Sequence, residues 1–135
     1  MFCFVYTCLL KKIINFAYHF KLKIKSKSPF ARNLEYWAQI RSKFLGLPYG
    51  DQGFLIHRDL LGSVGGFPKT PIMEDVALAS RLRGKIEPLD ILAHTSAEKY
   101  QKNGWLRQSI INFSILVRYL IGKDINLLYK IYYQN

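Results

Sequence analysis

Two short stretches hold most of the side chains able to do chemistry. Gly50-Asp51-Gln52 lies within Leu47-Pro48-Tyr49-Gly50-Asp51-Gln52-Gly53-Phe54-Leu55-Ile56-His57-Arg58, and Glu74-Asp75 within Pro71-Ile72-Met73-Glu74-Asp75-Val76-Ala77-Leu78. Each sets carboxylates or an amide where a turn meets a regular element. Between them, Val64-Gly65-Gly66-Phe67-Pro68 offers a glycine pair whose backbone can take positive φ or approach a ligand closely. A carboxylate at a loop-to-helix junction is placed to act as general base on a hydroxyl, a role worth about 10²–10⁴-fold in rate. The same pair at a helix start also offsets the positive end of the helix dipole, worth about 0.3–1 kcal/mol each. Asp51 with Gln52 can likewise lock an Asx-type turn or present polar groups to the hydroxyls of a ligand. Residue type and position leave these alternatives open.

Lys99, Lys102 and Arg107, with Tyr100 and Trp105 among them, form a basic and aromatic cluster. It reads either as solvated surface or as a clamp for phosphate, since a diphosphate leaving group needs cationic donors as its charge develops. His57 and His94 each stand alone beside apolar runs, and no residue is assigned to a metal. The chain has no Gly-x-x-x-x-Gly-Lys phosphate cradle, no Gly-x-Ser-x-Gly elbow and no zinc-ligand spacing. Cys3 and Cys8 have no histidine within ligand spacing and read as reduced thiols, which fits a reducing compartment.

The elements that must position these groups follow from periodicity. From His19 to Lys27, apolar Phe20, Leu22 and Ile24 alternate with Lys21, Lys23, Lys25 and Lys27, the pattern of a half-buried strand whose lysine row protects a sheet edge, meets solvent or binds phosphate. Ser28-Pro29 opens a helix as N-cap and first helical residue, and Gly46 closes it as a left-handed C-cap. Phe30, Leu34, Trp37 and Phe44 fall on one face of that helix, with Ile40 beside it, and Trp37 reads as packing rather than ligand stacking. A short strand over Gly53 to His57, one or two helical turns from Asp59 and a helix from Glu74 to about Arg83 come next. A strand-like stretch at Ile91-Leu92-Ala93 precedes a polar segment, Thr95 to Asn103, that can begin with a helical turn. From Trp105 a long helix is apolar on several faces, which predicts burial or a membrane surface. A shorter helix spans Ile125 to Tyr133. This alternation predicts a layered α/β domain.

The bulk numbers agree with one domain or part of one: 135 residues, half of them hydrophobic. The net charge of +11 favours anionic partners, with +8 of it in residues 1 to 50 and +3 in residues 51 to 135. Residues 1 to 18 show no clean period. Their apolar start precedes Lys11-Lys12, the reverse of a secretory leader, and is too short to span a bilayer, which takes about 20 residues. No cleaved signal and no spanning helix are expected.

Together, Leu45-Gly46-Leu47-Pro48-Tyr49-Gly50-Asp51-Gln52-Gly53-Phe54-Leu55-Ile56-His57-Arg58, Val64-Gly65-Gly66-Phe67-Pro68 and Pro71-Ile72-Met73-Glu74-Asp75-Val76-Ala77-Leu78 resemble glycosyltransferase family 2, in its branch of rSAM/selenodomain-associated transferases. The resembling stretch runs from about Phe20 to Tyr132. The resemblance implies a nucleotide-diphospho-sugar transferase (GT-A-like) fold, a mixed sheet flanked by helices, that moves a sugar from a nucleotide-diphosphate donor to a hydroxyl acceptor with inversion. It implies Asp75 as general base with Glu74 in support, and substrate contacts at Gly50, Asp51, Gln52, Gly66, Trp105 and Arg107. Family members carry a nucleotide-binding half upstream, with an Asp-x-Asp motif for Mg or Mn; no such motif occurs here, so the chain corresponds to the acceptor-side half over 19–122, with 1–18 unassigned and 123–135 a closing helix. A divalent metal is thus expected of the family but has no ligand motif in this chain. The implied partners are the donor and the acceptor, with a chain carrying the other half if the enzyme is split rather than truncated; the apolar C-terminal helices add an expectation of peripheral membrane contact for a cytoplasmic protein. A transferase remnant should be inactive alone. The competing expectation is a small basic module that binds nucleic acid or an anionic membrane through its lysine row.

Overall fold

We describe residues 12–133 of a computed structural model of the chain. Residues 1–11, with Cys3 and Cys8, lie outside the described residues, as does most of the unassigned 1–18 segment. The order is β1 (Ala17–Ile24), α1 (Pro29–Leu45), a 3-10 turn (Gly50–Gln52), β2 (Phe54–Leu55), α2 (Arg58–Ser63), α3 (Glu74–Arg81), β3 (Ile86–Thr95), α4 (Glu98–Asn103), α5 (Trp105–Leu120) and α6 (Ile125–Tyr133). The protein is mixed α/β, with a three-stranded sheet in the order β2-β1-β3. Strand β1 pairs antiparallel with β2, Tyr18 opposite Leu55, and parallel with β3, from Ala17 opposite Ile86 to Ile24 opposite Thr95.

The lysine-bearing strand is therefore the centre of the sheet, not its edge. Its Lys21 is paired with Asp90 at 2.7 Å and its Lys23 lies 3.5 Å from Glu35, so half of the lysine row already has carboxylate partners. Strand β3 begins earlier than its apolar run because Pro88, which cannot donate to a ladder, is tolerated on an edge strand. The register slips just after His19 faces Pro88, and this irregularity falls where Asp90 reaches Lys21.

Helix α1 starts and stops as its caps dictate. Ser28 Oγ accepts from the Phe30 N–H at 3.3 Å, and Gly46, at φ 61°, donates its N–H to Ser42 O. Its buried face, however, consists of Ala31, Glu35, Ala38 and Ser42, while Phe30, Trp37 and Phe44 are 55–74 % exposed. Two forces turn the helix this way. Small residues let its backbone come close to β1, and Glu35, ion-paired with Arg32 at 2.8 Å, accepts the Ile24 N–H at 2.7 Å. That charge-assisted bond needs Glu35 inward, which carries the aromatic stripe outward.

The remaining apolar residues knit the helices to the site. Leu47, Val76, Ala79 and Leu116 join the segment after α1 to α3 and α5, while Ile72, Ile115 and Leu128 join the segment before α3 to α5 and α6. The start of α3 is thus fixed from two sides. Among the described residues, no helix is long and apolar enough to cross a membrane.

Candidate functional site

The segments singled out by residue type meet at one cleft. Its volume is about 400 Å³, within the roughly 300–1,000 Å³ of small-molecule sites. Gly50 and Asp51 form one wall, Glu74 and Asp75 another, and Thr95, Ser96, Lys99 and Tyr100 a third; Tyr132 and Tyr133 of α6 complete it.

Asp75 is held where a base acting into the cleft should be. Its Oδ2 accepts the Gly50 N–H at 2.5 Å and its Oδ1 accepts the Val76 N–H at 2.7 Å. Asp75 therefore ties the two motifs together across 25 residues of sequence. A Cβ at Gly50 would sit 3.4 Å from the same carboxylate oxygen, an ordinary contact distance. Before it, Met73 is a non-glycine residue at φ 58°, serving as N-cap of α3 without a side-chain cap bond. This left-handed residue, costly for a long side chain, turns Glu74 and Asp75 toward the cleft.

Asp51 is open to the cleft but crowded by protein behind it. Burial raises its pKa above the ordinary carboxylate value; Arg41 opposes that shift, and the neighbouring Asp75 adds to it. A carboxyl whose charged form is disfavoured by burial, beside a second carboxylate in a cleft, marks a candidate functional group. Arg41, reached from α1, sets the charge beneath this wall. Its guanidinium carbon lies 3.3 Å from the centroid of the Tyr49 ring and its Nε donates to Leu47 O at 2.8 Å. Burial lowers the Arg41 pKa and raises that of Tyr49.

Gln52 does not face a ligand. It is fully buried and acts as a hub: its Oε1 accepts from Ser42 Oγ at 3.0 Å, the Tyr49 N–H at 3.1 Å and Arg41 Nη2 at 3.2 Å. Its Nε2 donates to Phe20 O at 3.4 Å. The expected substrate contact is thus a positioning residue, because the one-turn 3-10 helix points position 52 inward and positions 50 and 51 outward.

Three other expected contacts also lie off the cleft. Gly66 is in the loop after α2, where its carbonyl accepts from Arg81 Nη1 at 3.4 Å. Arg107 is exposed on α5. Trp105 stacks on Tyr100, with ring centroids 5.3 Å apart, and packs against the β1–α1 core. Its effect on the cleft is through Tyr100, which a chain of amides also holds. Asn103 Nδ2 donates to Gln108 Oε1 at 2.7 Å, Gln108 Nε2 to Asn112 Oδ1 at 2.8 Å, and Asn112 Nδ2 to Tyr100 Oη at 3.2 Å. Of the basic cluster, Lys99 alone lines the cleft; it donates to Tyr132 Oη, and its Nζ lies 3.9 Å from the Tyr132 ring centroid.

Arg41, Asn112 and Tyr132 belong to the site or its support without having been expected there, and Tyr49 joins them from within the first motif. A signal existed for one of them: Asn112, like Gln108, is an amide within an otherwise apolar helix. Among the described residues no three His, Cys, Asp or Glu side chains come together to hold a metal ion, and Asp75 is already bound by two backbone N–H groups. In comparisons with known proteins, no family model, no curated protein and no solved structure matches this chain.

Proposed function

We propose that this chain is the acceptor-side half of a family 2-like, inverting glycosyltransferase, with its nucleotide-binding half supplied by another polypeptide segment. The observation that carries the reading is the Asp75 carboxylate, anchored by the Gly50 N–H at a cleft of substrate size with Asp51 on the neighbouring wall. The hydroxyl of the acceptor enters the cleft and gives its proton to Asp75. Its oxygen bonds to the anomeric carbon from the face opposite the diphosphate, the carbon–oxygen bond to the diphosphate breaks, and the electron pair leaves on the nucleoside diphosphate. Glu74 and Asp51 orient the acceptor, Tyr100 offers a flat surface to the sugar, and Lys99 is the cation nearest the departing charge. No step is routed through a metal. The lysine row of β1 fits the nucleic-acid alternative poorly, since Lys21 and Lys23 already have carboxylate partners.

Co-expression with the nucleotide-binding half of a family 2 enzyme tests this reading. Sugar-nucleotide turnover by the pair is expected, with Asp75→Asn lowering it by about 10²–10⁴-fold. Undiminished turnover in the Asp75→Asn pair would remove the assignment.

A further inference from the structure

The outward face of α5 is apolar along its whole length. Leu106, Ile110, Phe113, Val117, Leu120 and the following Ile121 are each 39–69 % exposed, whereas Gln108, Ile115 and Leu116 on the opposite face are buried. At about 100° per residue these six fall within an arc of about 100°, along a helix about 24 Å long. The surface of an ordinary water-facing helix would be polar there. A contiguous apolar stripe of this kind marks a docking face.

The charge beside the stripe selects the partner. Between the flanking Glu98 and Asp124 the chain has no Asp or Glu, and, Lys99 being turned into the cleft, Lys102, Arg107, Arg118 and Lys123 remain as the cations beside the stripe. Arg107 and Arg118 lie together along one side of the stripe, about 100–120° from its first residue. At the far end, Leu120 shares a hollow with Leu45 of α1 and with Arg83, so the exposed Leu45 end of α1 extends the apolar surface beside another cation. An apolar stripe edged with cations and free of acids is the pattern of a helix lying in a lipid interface, its apolar face among the acyl chains and its cations at anionic headgroups. A second copy of this chain would set these cations against one another.

We infer that α5 docks the protein on the surface of an anionic membrane, lying in the interface without crossing it. The test is flotation of the full chain with vesicles of phosphatidylglycerol and phosphatidylcholine, against vesicles of phosphatidylcholine alone, with light scattering on the same samples. Binding to the anionic vesicles, weakening as salt rises, is expected, with at least about a tenfold loss in Phe113→Asp. Should Phe113→Asp fail to fold by circular dichroism, Arg107→Gln with Arg118→Gln, two exposed surface changes, should lower binding about 25-fold. Absence of partition would overturn the inference, as would partition unchanged in these variants. A dimer that Phe113→Asp disperses, without vesicle binding, would assign the stripe to self-association instead.

Discussion

Replacing Gln52 with Met tests whether the cleft wall rests on a buried amide hub. Methionine has nearly the volume of glutamine, so the change removes polar partners while leaving little cavity. Three donors lose their acceptor: the Tyr49 N–H, Ser42 Oγ and Arg41 Nη2. Ser42 keeps its bond to Ala38 O at 2.7 Å, so its loss is small. The part-buried Tyr49 N–H and Arg41 Nη2 lose the acceptor they have, and a donor shielded from water without an acceptor costs about 1–3 kcal/mol. The sum is about 3 kcal/mol, a large part of the roughly 5–15 kcal/mol that holds a domain together. In urea the unfolding midpoint should fall by about 2 M at an m-value of about 1.5 kcal/mol/M, with m unchanged. Ser42→Ala removes one donor and leaves the acceptor satisfied, so it should cost about 0.5–1 kcal/mol. A Gln52→Met loss below about 1 kcal/mol, or one equal to that of Ser42→Ala, would refute the hub.

Gly53 has φ 65° and ψ 154°, a region nearly reserved for glycine, and a Cβ there would meet the Phe20 ring at 3.0 Å; Gly53→Ala should cost about 2–3 kcal/mol in the same urea assay. Burial lowers the His19 pKa below its ordinary 6.5, an effect that Arg41 reinforces and a bond to Phe20 O opposes. The unfolded chain therefore takes up that proton first, so this contribution to stability is complete above about pH 6.5 and is lost as pH falls through the folded pKa. Thermal melts between about pH 7 and pH 5 should show the decline, and His19→Asn should flatten it. The purified 135-residue chain should not turn over nucleotide sugars alone; product formation detected by chromatography would contradict the half-enzyme reading.

Local chemistry was legible where one residue decides the structure. Ser28-Pro29 and Gly46 mark the ends of α1 because a cap needs no distant partner, and Glu74-Asp75 forms the first turn of α3, where carboxylates offset the positive end of the helix. The aromatic residues of α1 misled because helical periodicity reports a stripe but not which side meets the sheet. That choice belongs to Glu35 and the Ile24 N–H, a bond between residues in different elements. The resemblance of the Gly-Asp-Gln segment assigns Gln52 to the substrate side, yet one residue of 3-10 turn reverses its direction. The outward stripe of α5 was visible as excess hydrophobicity, and its orientation came only with the buried Gln108 on the opposite face. Arg41 and Tyr132 could not be found from the chain, since one arrives beneath Tyr49 and the other beside Lys99 through tertiary packing.

On the proposed function, the Asp51 and Asp75 cleft receives a hydroxylated acceptor. A ¹⁵N-resolved NMR titration of the chain with methyl glycosides tests it most directly. Saturable shifts are expected at the Gly50, Asp51 and Asp75 amides, abolished by Asp75→Asn in a variant that keeps the rest of its spectrum. Silence at those amides, or shifts that persist unchanged in Asp75→Asn, would contradict it.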